Sequence, residues 1–186
     1  MKTTENPIAV QSQKWLVSSL LDLMNTQNYS KITIKDLAKH ADLDRRTFYR
    51  NFQSKEDVLC FYIRGMCDEY IEALSHEQNP STFLAAKTYF SICRKHLEFF
   101  NLLLKQGLLG FLLLKFDEFM PSLQQQNLSQ DLKHYYGEDI SYLYAFNNGG
   151  FWNMSIQWIR NGSIQTPEEM ANIVCKIVHG MSECGF

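Results

Sequence analysis

Proline and glycine are scarce in this chain of 186 residues, at four and nine, so the long stretches between them read as helical. No run alternates apolar and polar residues with the period of two that a half-buried strand needs. Nor is there an internal repeat, or a low-complexity tract beyond the short Gln124–Gln126 run. The five cysteines (Cys60, Cys67, Cys93, Cys175, Cys184) are odd in number and form no C-x-x-C pair. That argues against a disulfide framework and for reduced, structural thiols in a cytoplasmic protein. The most apolar segment, Leu102–Phe116, is interrupted by Lys105, Gln106 and Lys115. It is too short and too charged to span a bilayer, so it reads as a buried helix and no membrane partner is expected. The polar start, Met1–Gln13, predicts no signal peptide. His40, His76, His96, His134 and His179 fall in no metal-ligand, Ser/His/Asp or Cys/His arrangement, and no glycine loop is built to cradle phosphate. Catalysis, a metal site and a cofactor are therefore not expected.

What is present is a packed core in the making. Apolar residues are 45% of the chain and aromatics 13%, which excludes a disordered protein. The net charge of −2 hides an asymmetry. Residues 29–55 carry seven Lys/Arg against three acids, a net of +4, whereas residues 61–186 carry nine against thirteen, a net of −4. A basic head on an acidic body points to a polyanion bound by the head alone.

The local pattern in that head is specific. Leu16, Val17, Leu20, Leu21 and Met24 form one stripe of a helix from about Val10 to Thr26. Thr33 and Asp36 make a capping box that launches a helix to about Ala41, burying Ile34, Leu37 and Ala38. The helix must stop near Asp42, a residue type that tolerates left-handed backbone. Asp44 then caps a second short helix, Arg45 to about Phe52. Ser54 and Asp57 open a long helix to about Leu74. Further helices are predicted near 81–94, 96–106, 108–120, 139–160 and 167–181, with a polar loop over 121–138.

Two short helices joined by a tight turn are a helix-turn-helix, whose second helix enters the major groove by its N-terminal end. Arg45, Arg46 and Thr47 stand at that end, with Tyr49 and Arg50 on the next turn. Arginine can donate bidentately to guanine and the threonine methyl can meet a thymine methyl. Phe48 and Phe52, four apart, are the buried face. Double-stranded DNA is thus the expected partner.

The runs Ile32–Ala41, Leu43–Phe52 and Ser54–Leu59, with Thr-Phe-Tyr-x-x-Phe-x-x-Lys at their centre, resemble the N-terminal domain of the TetR-like regulators across roughly residues 9–65. The resemblance implies that Tyr49 and Lys55 grip phosphates, that Thr33 helps at the backbone, and that Arg45, Arg46 and Thr47 meet bases. It further implies an all-α fold: a three-helix helix-turn-helix domain over 1–56 and a larger helical domain over 57–186 for effector binding and dimerisation. The chain departs from the family pattern at Asp42 and Arg46, where glycine is common. The first is a tolerable turn residue and the second adds a charge to the DNA face. An effector-responsive repressor, working as a homodimer on a near-palindromic operator, is what the family implies. A co-regulator that keeps the fold but binds another regulator would be marked by loss of the Arg45, Arg46, Thr47, Tyr49 and Lys55 set, which is intact.

In the C-terminal body, Phe146–Trp158, Asn161-Gly162 and Thr166–Met170 are similar to the subgroup that includes activators of dihydroxyacetone kinase operons. Thr166, Pro167 and Glu169 are a strong helix start. Met170, Ile173, Val174, Ile177, Val178 and Met181 follow at helical spacing. With Gly149 and Gly150, which imply a close backbone approach or a local break, this stripe makes either a four-helix dimer seam or a packing face within one subunit. Tyr62, Met66, Tyr70, Phe99, Phe111, Tyr144 and Trp152 are candidates for an effector pocket, and equally for a plain aromatic core.

Overall fold

The computed structural model describes residues 7–77, 80–115, 118 and 134–183. Among them every regular element is helical, with no strand. The order is α1 (Pro7–Thr26), a 3-10 turn (Tyr29–Lys31), α2 (Ile34–His40), α3 (Arg45–Asn51), α4 (Lys55–Leu74), α5 (Thr82–Lys95), α6 (Leu97–Gln106), α7 (109–115), a second 3-10 turn (Gly137–Asp139), α8 (Ile140–Arg160) and α9 (Pro167–Glu183). The all-α expectation holds. Helix α1 starts three residues before the predicted Val10, because proline is well tolerated at the first helical position. Residues 134–136, placed in the predicted polar loop, are helical, and 119–133 lie outside the described residues.

The chain divides into two compact units, Met1–Arg64 with Leu102–Leu108, and Gly65–Asn101 with Leu109–Phe186. In the first, α1, α2 and α3 pack on one another. Leu16, Leu20 and Met24 from α1, Leu37 from α2 and Phe48 from α3 are fully buried, and Phe52, Leu59 and Leu103 are buried too. The α2–α3 turn is set by backbone geometry. Asp42 takes φ +53°, and the Leu43 N–H reaches back to the Ala38 carbonyl at 2.9 Å. This six-to-one bond closes a helix over a left-handed residue.

In the second unit α9 packs along α5. Phe90 is fully buried and meets Tyr89, Phe151 and Trp158 at centroid distances of 5.2, 6.3 and 5.7 Å. The α8–α9 turn is tied to this cluster. The Gln165 carbonyl accepts from the Trp158 indole at 3.0 Å and from Arg94 at 2.7 Å. The predicted Thr166/Glu169 capping box is present, with Thr166 N–H to Glu169 Oε2 at 2.7 Å. The free thiol of Cys93 is buried here, which pushes its pKa up to about 12 and leaves it inert at neutral pH. No described helix is long and apolar enough to cross a membrane.

Candidate nucleic-acid interface

The interface is built by two caps and one turn. The Thr33 hydroxyl accepts the Asp36 N–H at 3.1 Å, while the Asp36 carboxylate accepts the Thr33 N–H at 3.2 Å and its hydroxyl at 2.6 Å. Two of the orphan donors at the start of α2 are thereby satisfied. Asp44 satisfies one at the start of α3 by accepting the Thr47 N–H. Helix α3 has only two turns, and an isolated helix that short is unstable in water. The caps and the buried Phe48 hold it. The side chains of Arg45, Arg46, Tyr49 and Arg50 are exposed. Tyr49 rests edge-on against Phe48 at 5.5 Å and is 51% exposed. The Arg50 guanidinium donates to the Thr47 hydroxyl at 2.8 Å and lies along the helix, whereas no described residue hydrogen-bonds the Arg45 or Arg46 side chains. Two exposed guanidinium groups at the N-terminal end of α3, with a phenol on its next turn, suit a polyanion with readable base edges.

Two of the predicted contact residues have structural duties as well. The Thr33 hydroxyl proton is committed to Asp36. The Lys55 ammonium turns inward, donating to the Tyr29 carbonyl at 2.7 Å and the Ile32 carbonyl at 3.1 Å, and sits 4.2 Å from the Tyr29 ring centroid. One of its three donors remains for a phosphate. The Tyr29 hydroxyl donates to Glu56 at 2.9 Å; burial, then the Glu56 bond, holds its pKa well above the usual range. Sequence reasoning passed over Tyr29 and Glu56, since an aromatic in a predicted exit loop carries no local signal of burial.

The caps predict an acid response. Hydrogen bonds with Thr33 hold Asp36, and those with Thr47 hold Asp44, below the usual carboxylate range. A carboxyl with a depressed folded-state pKa contributes stability above its unfolded value, near 4, and loses it as pH falls through the folded value. The urea midpoint of the protein should stay level from pH 7 to about pH 5 and drop below about pH 4. In an Asp36→Asn, Asp44→Asn variant the drop should be shallower. Equal slopes in both proteins would remove the caps from the explanation.

The predicted body residues separate. Tyr62 belongs to the first unit and Met66, Tyr70, Phe99, Phe111, Tyr144 and Trp152 to the second. Tyr70 packs against Tyr89 at 6.3 Å, and burial raises its pKa to about 12. Tyr144 is buried and its hydroxyl has no hydrogen-bond partner among the described residues. The α9 stripe is not one face. Met170 and Val174 are buried within the chain, where α9 packs on α5. Ile173, Ile177 and Val178 are exposed. The side chain of Met181 lies outside the described residues. Helix α8 runs unbroken through Gly149 and Gly150, and among the described residues a Cβ at either would meet nothing within 4 Å. Tyr142 and Phe146, on the same helix, are 75% and 63% exposed.

Known proteins agree with this geometry. The family described as bacterial regulatory proteins, tetR family, matches residues 16–59, and one described as transcriptional regulator C-terminal region matches residues 83–180. Over 75 residues, 40% of the chain, the sequence is 32% identical to the uncharacterized HTH-type transcriptional regulator YxbF of Bacillus subtilis (strain 168). Over 63 residues, 34% of the chain, it is 30% identical to the HTH-type dhaKLM operon transcriptional activator DhaS of Lactococcus lactis subsp. lactis (strain IL1403). The matches span 20% and 34% of those two relatives. A solved structure of a dihydroxyacetone kinase operon activator DhaS covers 91% of this chain and 95% of its own, with TM-score 0.54 at 17% identity, a likeness of fold. With a capped helix-turn-helix at its head and family matches over both parts, the chain belongs to the TetR family of bacterial regulatory proteins.

Proposed function

We propose that the protein is an effector-responsive repressor that binds a near-palindromic operator as a homodimer. Residues 1–56 are the reading head and 57–186 the effector-binding and dimerisation body. The observation that carries the proposal is the exposed cationic end of α3 on a helix-turn-helix whose caps and turn are all in place. Arg45, Arg46 and Thr47 face the bases; Tyr49, Arg50, Thr33 and the remaining donor of Lys55 face the phosphates. Arg46, where the family commonly has glycine, adds a contact and with it a sequence preference of this chain's own.

Dimerisation is supported by the apolar surface the monomer leaves open. Tyr142 and Phe146 stand on the same helix as Gly149 and Gly150, above which no described residue lies within 4 Å of a Cβ position, and Ile173, Ile177 and Val178 are exposed on α9. A glycine pair under open space lets a second helix approach closely. The Tyr144 hydroxyl, which has no hydrogen-bond partner among the described residues, supports an effector pocket. Only differential affinity lets such a ligand release the operator. Activation is the second reading, favoured by the relative whose name is that of an operon activator.

The test is selection from a random-sequence duplex library at about 150 mM salt, which suppresses nonspecific phosphate binding. A palindrome with half-sites about 34–36 Å apart is expected. Enrichment of a single half-site would dismiss the dimeric reader; no enrichment by folded protein would favour a co-regulator. The selected site, placed over or upstream of a reporter promoter, then distinguishes repression from activation.

A further inference from the structure

We propose that Gln106 is a positioning residue for DNA binding, a latch that fixes the junction between α1 and the helix-turn-helix. The proposal rests on the DNA-reading assignment above and adds a residue outside residues 1–56. Helix α6 begins at Leu97 in the second unit and ends at Gln106 in the first. Its last side chain is fully committed. The Gln106 amide nitrogen donates to the Met24 carbonyl and, at 3.1 Å, to the Gln27 carbonyl. Its amide oxygen accepts the Tyr29 N–H at 2.9 Å. The reverse orientation would set an oxygen against two carbonyls and an NH2 against an N–H, so the arrangement is unique. Lys105 beside it donates to the Asn25 carbonyl at 3.1 Å.

These bonds do what a helix C-cap ordinarily does. The terminal carbonyls of a helix lack intrahelical partners. At the end of α1 the Leu23 carbonyl is taken by the Gln27 N–H. Those of Met24 and Asn25 are taken by side chains some eighty residues away in sequence. The Lys105 charge also lies at the negative end of the α1 dipole.

The grip continues to the DNA side. Tyr29, whose N–H Gln106 holds, offers its carbonyl to Lys55 and its hydroxyl to Glu56, at the start of α4. Lys55 also holds the Ile32 carbonyl, one residue before the Thr33 cap of α2. Thus one amide, one tyrosine and one lysine set where the chain enters the helix-turn-helix. A small displacement there misplaces the α3 side chains, and contacts to base edges tolerate little misplacement.

The test compares Gln106→Met, which keeps the length and apolar volume but removes every bond, with Gln106→Glu, which leaves an acceptor for Tyr29 and sets a charge against the two carbonyls. A core change in the other unit, Phe90→Leu, serves as a stability control. Three quantities are measured: affinity for the selected operator, melting temperature, and amide hydrogen exchange over residues 29–41. Both Gln106 variants are expected to lose about tenfold or more in operator affinity, with exchange at 29–41 faster by a similar factor. Phe90→Leu, at an equal or larger fall in melting temperature, is expected to keep its affinity and its exchange over 29–41. Affinity that follows melting temperature alone across the three variants would reduce Gln106 to a stabilising residue and overturn the proposal. If the unaltered protein binds no DNA, the functional assignment fails by itself. The latch is then judged on exchange, and unchanged protection at 29–41 in Gln106→Met overturns it.

Discussion

Replacing Arg45 and Arg46 together by alanine should weaken operator binding by about a hundredfold or more while leaving the melting temperature within a degree or two. A bidentate arginine–guanine pair is worth about 1–3 kcal/mol of discrimination, so two such pairs at mid-range, about 4 kcal/mol together, correspond to a factor above 10² even when partly coupled. Stability is spared because both side chains are exposed and no described residue hydrogen-bonds them. Titration against the selected operator and against a scrambled duplex separates two effects. Preference between the two should collapse, whereas binding to the scrambled duplex should weaken only as far as phosphate contacts are lost, with a shallower salt dependence. Tyr49→Phe provides the contrast: it should weaken binding to both duplexes alike. A double variant that keeps its preference would move base readout off the start of α3.

The largest expected effect on stability belongs to Phe48. Its side chain is fully buried and meets the rings of Tyr49 edge-on at 5.5 Å and of Phe52 at a tilt at 6.2 Å, so it fastens α3 to the core of the first unit. Truncating a buried phenylalanine to alanine costs about 3–5 kcal/mol, a large part of the 5–15 kcal/mol that holds a typical domain together. For a chain of this size that corresponds to a fall of about 10 °C in melting temperature. Phe48→Ala should therefore melt early and bind the operator weakly even when folded, because α3 carries the side chains proposed to read DNA. Phe48→Leu should recover most of both. Calorimetry and operator titration on the two variants would check this; an unchanged melting temperature in Phe48→Ala would mean that α3 is not held by its buried face.

The head of the molecule was legible in its residues because the interactions that shape it are short in sequence. The Thr33–Asp36 box, the Asp44–Thr47 cap, the left-handed Asp42 and the Ser54–Asp57 box each close within three residues or so, and the side chains needed stand in the local pattern. The periodicity of α1 and α4 likewise marks a buried stripe without knowledge of what covers it.

Tertiary structure decided what depends on distant partners. Lys55 is a basic residue at a predicted DNA face, yet two of its bonds run to carbonyls 23 and 26 residues earlier. Gln106 is, in sequence, an interruption in an apolar run; its meaning comes from carbonyls about eighty residues away. The α9 stripe looks like one surface, but packing on α5 takes Met170 and Val174 and leaves Ile173, Ile177 and Val178 exposed. Periodicity marks apolar residues on a helix and is silent on whether one neighbour or two will cover them. The sequence alone thus determined the reading head, because its capping and turn energies are local. Which carbonyls Lys55 and Gln106 hold, and which apolar side chains of α9 stay exposed, were decided only by packing, in which a side chain's role is set by whatever the fold brings against it.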